Sequence, residues 1–99
     1  MAGRSVSKWR LERQLRAAVA ELSAAREQVV VLAEQYAAFQ DDDEDARSRA
    51  LASSSVDDAR VADAARRHAE VMRESLRRTE QRVVDLEKRR DELLSNYQP

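Results

Sequence analysis

Apolar positions in the first part of the chain recur in alternating steps of four and three. They are Leu11, Leu15, Ala18, Leu22, Ala25, Val29, Leu32, Tyr36 and Phe39. Leu15, Leu22, Val29 and Tyr36 form one row and Leu32 belongs to its companion, a heptad seam on one side of a helix. Ser5 or Ser7 is placed to cap the start. The pattern predicts a helix over 7–40, preceded by a flexible basic N-terminus at 1–6. A second seam runs through Ala62, Ala65, Ala69, Met72, Leu76, Thr79, Val83, Leu86, Arg90, Leu93 and Tyr97, again in strict four-three steps. It predicts a helix over 56–96.

Between the two seams lie five adjacent acids, Asp41 to Asp45 with Glu44 among them, and then Ser53-Ser54-Ser55. Negative charge is unfavourable at a helix C-terminus and favourable at an N-terminus. The acids are therefore expected to end the first helix and to open a short one over 43–52, with Ala46, Ala50 and Leu51 as its apolar face. Ser55 with Asp58 fits a serine-x-x-acid capping box for the second long helix. A connection over 41–55 lets helices of about 50 and 60 Å fold back on each other. The expected fold is all-α, an antiparallel coiled-coil hairpin with a short helix in its connection, in one domain over 7–99.

Composition agrees with that pattern. Gly3 and Pro99 are the only glycine and proline, charged residues make up 37% and aromatics 4%. Such usage belongs to long helices. It also makes a lone hairpin thin, because ordering about 80 residues costs roughly 1–2 kcal/mol each in backbone entropy. Val30, Val31, Val84 and Leu94 lie beside the seams and widen the apolar faces. Further helices are implied, most simply from a second copy completing a bundle. The seam residues Leu15, Leu22, Val29, Leu32, Tyr36, Met72, Leu76, Val83, Leu86 and Leu93 are the expected oligomer or partner contacts.

The chemistry that can be excluded is broad. Without cysteine there is no disulfide or thiolate site. No apolar run approaches the ~18 residues of a membrane span, and no apolar stretch follows the basic N-terminal residues as a secretory signal requires. A cytoplasmic setting is the expectation, and the preference for Arg over Lys hints at a GC-rich genome. His68 is the sole histidine. No nucleophile triad, phosphate-cradling glycine loop or metal-ligand spacing occurs, so neither catalysis nor a cofactor is expected. The acidic run has hard oxygens but lacks the alternating register of a calcium loop. An acidic tip on a long hairpin resembles, in overall design, the transcript-cleavage and secondary-channel factors of RNA polymerase.

Charge is uneven along the chain: +4 over residues 1–16, −2 over 17–40, −5 over 41–63 and +2 over 64–99. Folded antiparallel, Lys8, Trp9, Arg10 and Arg13 would lie beside Lys88, Arg89 and Arg90. Basic side chains interleaved with aromatics can hold phosphates and stack bases, which makes nucleic acid a candidate partner. On the second helix Glu70, Arg77, Gln81 and Asp85 keep steps of seven, four and four. This register resembles the motif by which actinobacterial helical-hairpin anti-sigma factors bind cyclic di-GMP. The motif's serine position is Glu74 here, with Ser75 one place away, and the first helix retains only Ser23 and Arg26. The resemblance implies a nucleotide-responsive transcription regulator. The residues themselves point first to a coiled-coil adaptor that self-associates and docks on a protein.

Overall fold

A computed structural model describes the backbone of residues 2–97 and the side chains of residues 8–97. The chain forms a hairpin of two helices, α1 (Ala2–Ser53) and α2 (Val56–Tyr97), with no strand among the described residues. The all-α hairpin matches the reading of the two seams.

The acidic run does not interrupt α1, which is one helix of 52 residues from Ala2 to Ser53. The expected break at 40 and the separate short helix over 43–52 are corrected here. Neighbouring carboxylates point in different directions around a helix, and only those three or four apart face each other. Asp41–Glu44, Asp41–Asp45 and Asp42–Asp45 are such pairs, each worth a few tenths of a kcal/mol at an exposed site. Against that, the four-three register runs on past Phe39 through Asp43, Ala46 and Ala50. Ala46 is buried, and Asp43 and Ala50 are half-buried. Asp43 also accepts a hydrogen bond from Arg47 one turn later, at 3.1 Å. Breaking the helix would forfeit these contacts. The N-terminal bound also lies earlier than Ser7, because the backbone is helical from Ala2.

The turn is only two residues long. Ser54 adopts the left-handed conformation, with φ 54°, and its N–H bonds Ala50 O at 3.2 Å, closing the C-terminus of α1. Ser55 is the N-cap of α2, its Oγ accepting the Asp58 N–H at 3.3 Å. Asp58 in turn accepts a hydrogen bond from the Ser53 hydroxyl.

The packing divides into two compact units. The turn unit comprises Val29–Arg78, and the base unit comprises Met1–Gln28 with Thr79–Pro99. In the turn unit Leu32, Ala46 and Ala69 are buried, flanked by half-buried Val29, Tyr36, Phe39, Met72 and Leu76. In the base unit Ala18, Leu22, Ala25, Leu86 and Leu93 are buried, and Leu22, Ala25 and Leu86 cluster with Val83 against them. Leu11 and Leu15 are half-buried there. Among the described residues, four of the eight that are buried are alanines. The core is therefore narrow, and no large side chain in it is fully enclosed.

Candidate interaction surfaces

All ten seam residues expected to contact an oligomer or partner are buried or half-buried within their own unit. They are used up by the contact between α1 and α2. Another molecule would have to meet the outer faces.

The basic end lies within the base unit. The Lys8 ammonium stands 5.7 Å from the centroid of the Tyr97 ring, and the Tyr97 hydroxyl donates to Glu12 at 3.0 Å. The Arg13 guanidinium covers the Trp9 ring at 5.4 Å. Arg90 sits half-buried on the seam and donates through Nε to Asp91 at 3.1 Å. Arg10, Lys88 and Arg89 are exposed. The structure thus joins Lys8 and Arg13 to aromatic rings, while Glu12 and Asp91 dilute the positive field around them. Exposed cation–π pairs of this sort contribute about 0.5–1 kcal/mol.

The residues of the α2 motif fall in both units. In the turn unit Glu70 is exposed, and Arg77 reaches Glu74 at 3.1 and 3.5 Å. Glu74, standing where the resembled motif has serine, therefore engages the very arginine that would grip a phosphate. The pair is exposed, so breaking it costs little. Arg67, Glu70, Val71, Glu74 and Arg78 line an open depression on the outer face of α2. Arg77, Gln81 and Asp85 are not among its lining residues. In the base unit Gln81 donates to Asp85 at 3.1 Å.

His68 is exposed and meets Phe39 edge-on, with ring centroids 6.0 Å apart. Among the described residues no polar or charged side chain is buried, and no group of three His, Asp or Glu converges as metal ligands does. The acids lie along α1, eight or more residues ahead of the turn, so the hairpin tip is made of serines. The design likeness to polymerase secondary-channel factors rested on an acidic tip and is corrected accordingly. No helix is long and apolar enough to cross a membrane among the described residues.

Comparison with known proteins finds no matching family, no similar curated protein and no similar solved structure.

Several large apolar side chains face outward among the described residues. Trp9 is 54% exposed, Val30 58% and Leu51 79%, and Val19, Val31, Val61, Val71, Val84 and Leu94 are exposed as well. The sequence pattern had marked Val30, Val31, Val84 and Leu94. It passed over Val19, Val61 and Val71, because a four-three reading assigns every off-seam position to solvent. The signal was available: three β-branched residues outside a seam already complete.

Proposed function

We propose that this chain is a non-enzymatic coiled-coil adaptor or regulator of the cytoplasm, which self-associates and docks on a protein partner through its outer faces. The observation that carries this reading is surface area. The accessible surface is 7608 Å² for 11.3 kDa, where a compact monomer of that mass exposes about 5,700 Å². An extended chain of this mass would expose roughly 16,000 Å², so the hairpin removes little more than half of it. That is less than even a 60-residue globular domain achieves.

The excess of roughly 1,900 Å² per chain is on the scale that obligate dimers bury. Valine, leucine and tryptophan side chains stand exposed on both helices, and apolar surface of that kind is what an interface covers. The catalytic alternative has no support, because no desolvated polar group or converging set of titratable side chains stands among the described residues.

Sedimentation velocity across the micromolar range tests self-association, together with thermal melts at the same concentrations. A dimer or larger species is expected, with a midpoint that rises with protein concentration by mass action. A monomer whose midpoint does not change with concentration refutes the reading.

A further inference from the structure

Two ion pairs join α1 to α2 in the base unit, and they mark its two sides. Arg26 meets Glu87 at 3.4 Å, and Arg82 meets Glu21 at 3.6 Å. On a helical heptad, residues seven apart share a side and residues three apart are neighbours. Seven residues before Arg26 is Val19, and seven after Glu87 is Leu94. Three before Glu87 is Val84, and Trp9 is three before Glu12, itself seven before Val19. The four large, exposed apolar residues Trp9, Val19, Val84 and Leu94 therefore gather on the side of the Arg26–Glu87 bridge. They are 54, 48, 42 and 40% exposed.

The charges on this side are sorted by helix. Along α1 they include Arg16, three before Val19, and Arg26. Along α2 they are Glu80, Glu87 and Asp91, the last three residues before Leu94. Glu12 is engaged by the Tyr97 hydroxyl. Arg26 and Glu87 bridge the helices across the middle of this face, in the same rows as Val19 and Leu94, and Arg16 on α1 and Asp91 on α2 stand outside them beside Trp9 and Val84.

We infer that a second copy of this chain covers this face, related by a two-fold axis running along the helices. Such an axis sets α1 of one copy against α2 of the other at the same level, so the Arg16 side of each copy meets the Asp91 side of the other. Leu22 packs with Leu86. Arg16, six residues before Leu22, is therefore level with Asp91, five residues after Leu86, and meets Asp91 of the second copy. Asp91 is open to that contact, being 66% exposed and, among the described residues, held only by its neighbour Arg90. A perpendicular axis would instead set α1 on α1 and α2 on α2, and would not bring Arg16 to Asp91. The Arg26–Glu87 pair would be covered as an ion pair rather than as two lone charges, which lessens the cost of its burial. The inference rests on the self-association proposed above and names its face.

Single-site variants of the full chain, followed by sedimentation and by circular dichroism, test it. Val19→Asp and Val84→Asp replace residues that are surface-exposed within one chain, so helicity should stay unchanged while dimerisation weakens by about 100-fold or more, the effect of an unpaired charge in an interface. Val71→Asp, in the turn unit, should leave the dimer intact. Arg16→Glu and Asp91→Arg should each weaken it, and the two together should restore it. A monomeric wild type overturns self-association and this inference together. A wild-type dimer that withstands Val19→Asp and Val84→Asp overturns this face alone. Failure of the double charge swap to restore a dimer that each single swap weakens overturns the parallel axis.

Discussion

Truncating Leu22 to alanine removes three heavy atoms from the tightest point of the base unit. Leu22 is the least exposed of the buried residues, at 2%, and contacts Ala25 and Leu86 with Val83 packed alongside. Leucine-to-alanine changes in cores cost about 2.7–5 kcal/mol, the upper values where a rigid cavity remains. Here half the buried residues are alanines and only two helices face each other, so the site can collapse. A cost near 3 kcal/mol is expected. Domains of this length hold roughly 5–15 kcal/mol in all, and the modest burial argues for the low end. Leu22→Ala should therefore lower the urea midpoint by about half at unchanged m-value, and the thermal midpoint by roughly 12–24 °C. Both are read by ellipticity at a fixed protein concentration. Leu51→Ala is the control: Leu51 is 79% exposed, and its loss should stay within about 0.5 kcal/mol. A Leu22→Ala midpoint indistinguishable from that of Leu51→Ala would refute the placement of the seam.

Three further perturbations probe other features. Asp43 occupies a seam position with its side chain only 15% exposed, and its partner Arg47 is 61% exposed and stays solvated without it, so Asp43→Leu should raise stability by about 1 kcal/mol through added apolar burial; Asp42→Leu should do nothing, and a destabilised Asp43→Leu would sink the continuous register. Ser54→Gly should stabilise by about 0.5–1 kcal/mol by relieving the left-handed backbone, whereas an unchanged or lower melting midpoint would contradict the φ of 54°. Calorimetric titration with cyclic di-GMP should give no heat, because Arg77 is paired with Glu74 and the depression beside it is open. Micromolar binding that disappears in Arg77→Ala would overturn the adaptor reading in favour of a nucleotide switch.

Much of the fold could be read from spacing alone. Leu22 and Leu86 fall on the two seams and meet in the base unit, and Ser55 caps α2 through Asp58 as its spacing predicts. The acidic run misled for a definite reason. Five like charges in a row look repulsive on paper, but on a helix successive side chains diverge by about 100°. The decisive signal was the continuing register at Asp43, Ala46 and Ala50, masked because its first member is polar and the next two are small. The interaction face was less legible. Val84 and Leu94 drew notice as neighbours of the seam, but Val19 acquires meaning only once the Arg26–Glu87 bridge shows which side it shares.

The two-residue serine turn also governs how the molecule comes together and how it would come apart under load. Ser53 and Asp58 are five residues apart in sequence, while Glu12 and Tyr97 are 85 apart. Closing the longer loop from an open chain costs about 2.5 kcal/mol more than closing the shorter one. Pairing should therefore start at the turn and zip toward the termini, each layer shortening the loop left for the next. The first and last described residues, Ala2 and Tyr97, belong to the base unit. Tension applied to them would peel α1 from α2 one seam layer at a time, meeting Leu93 and Leu86 before anything near the serines.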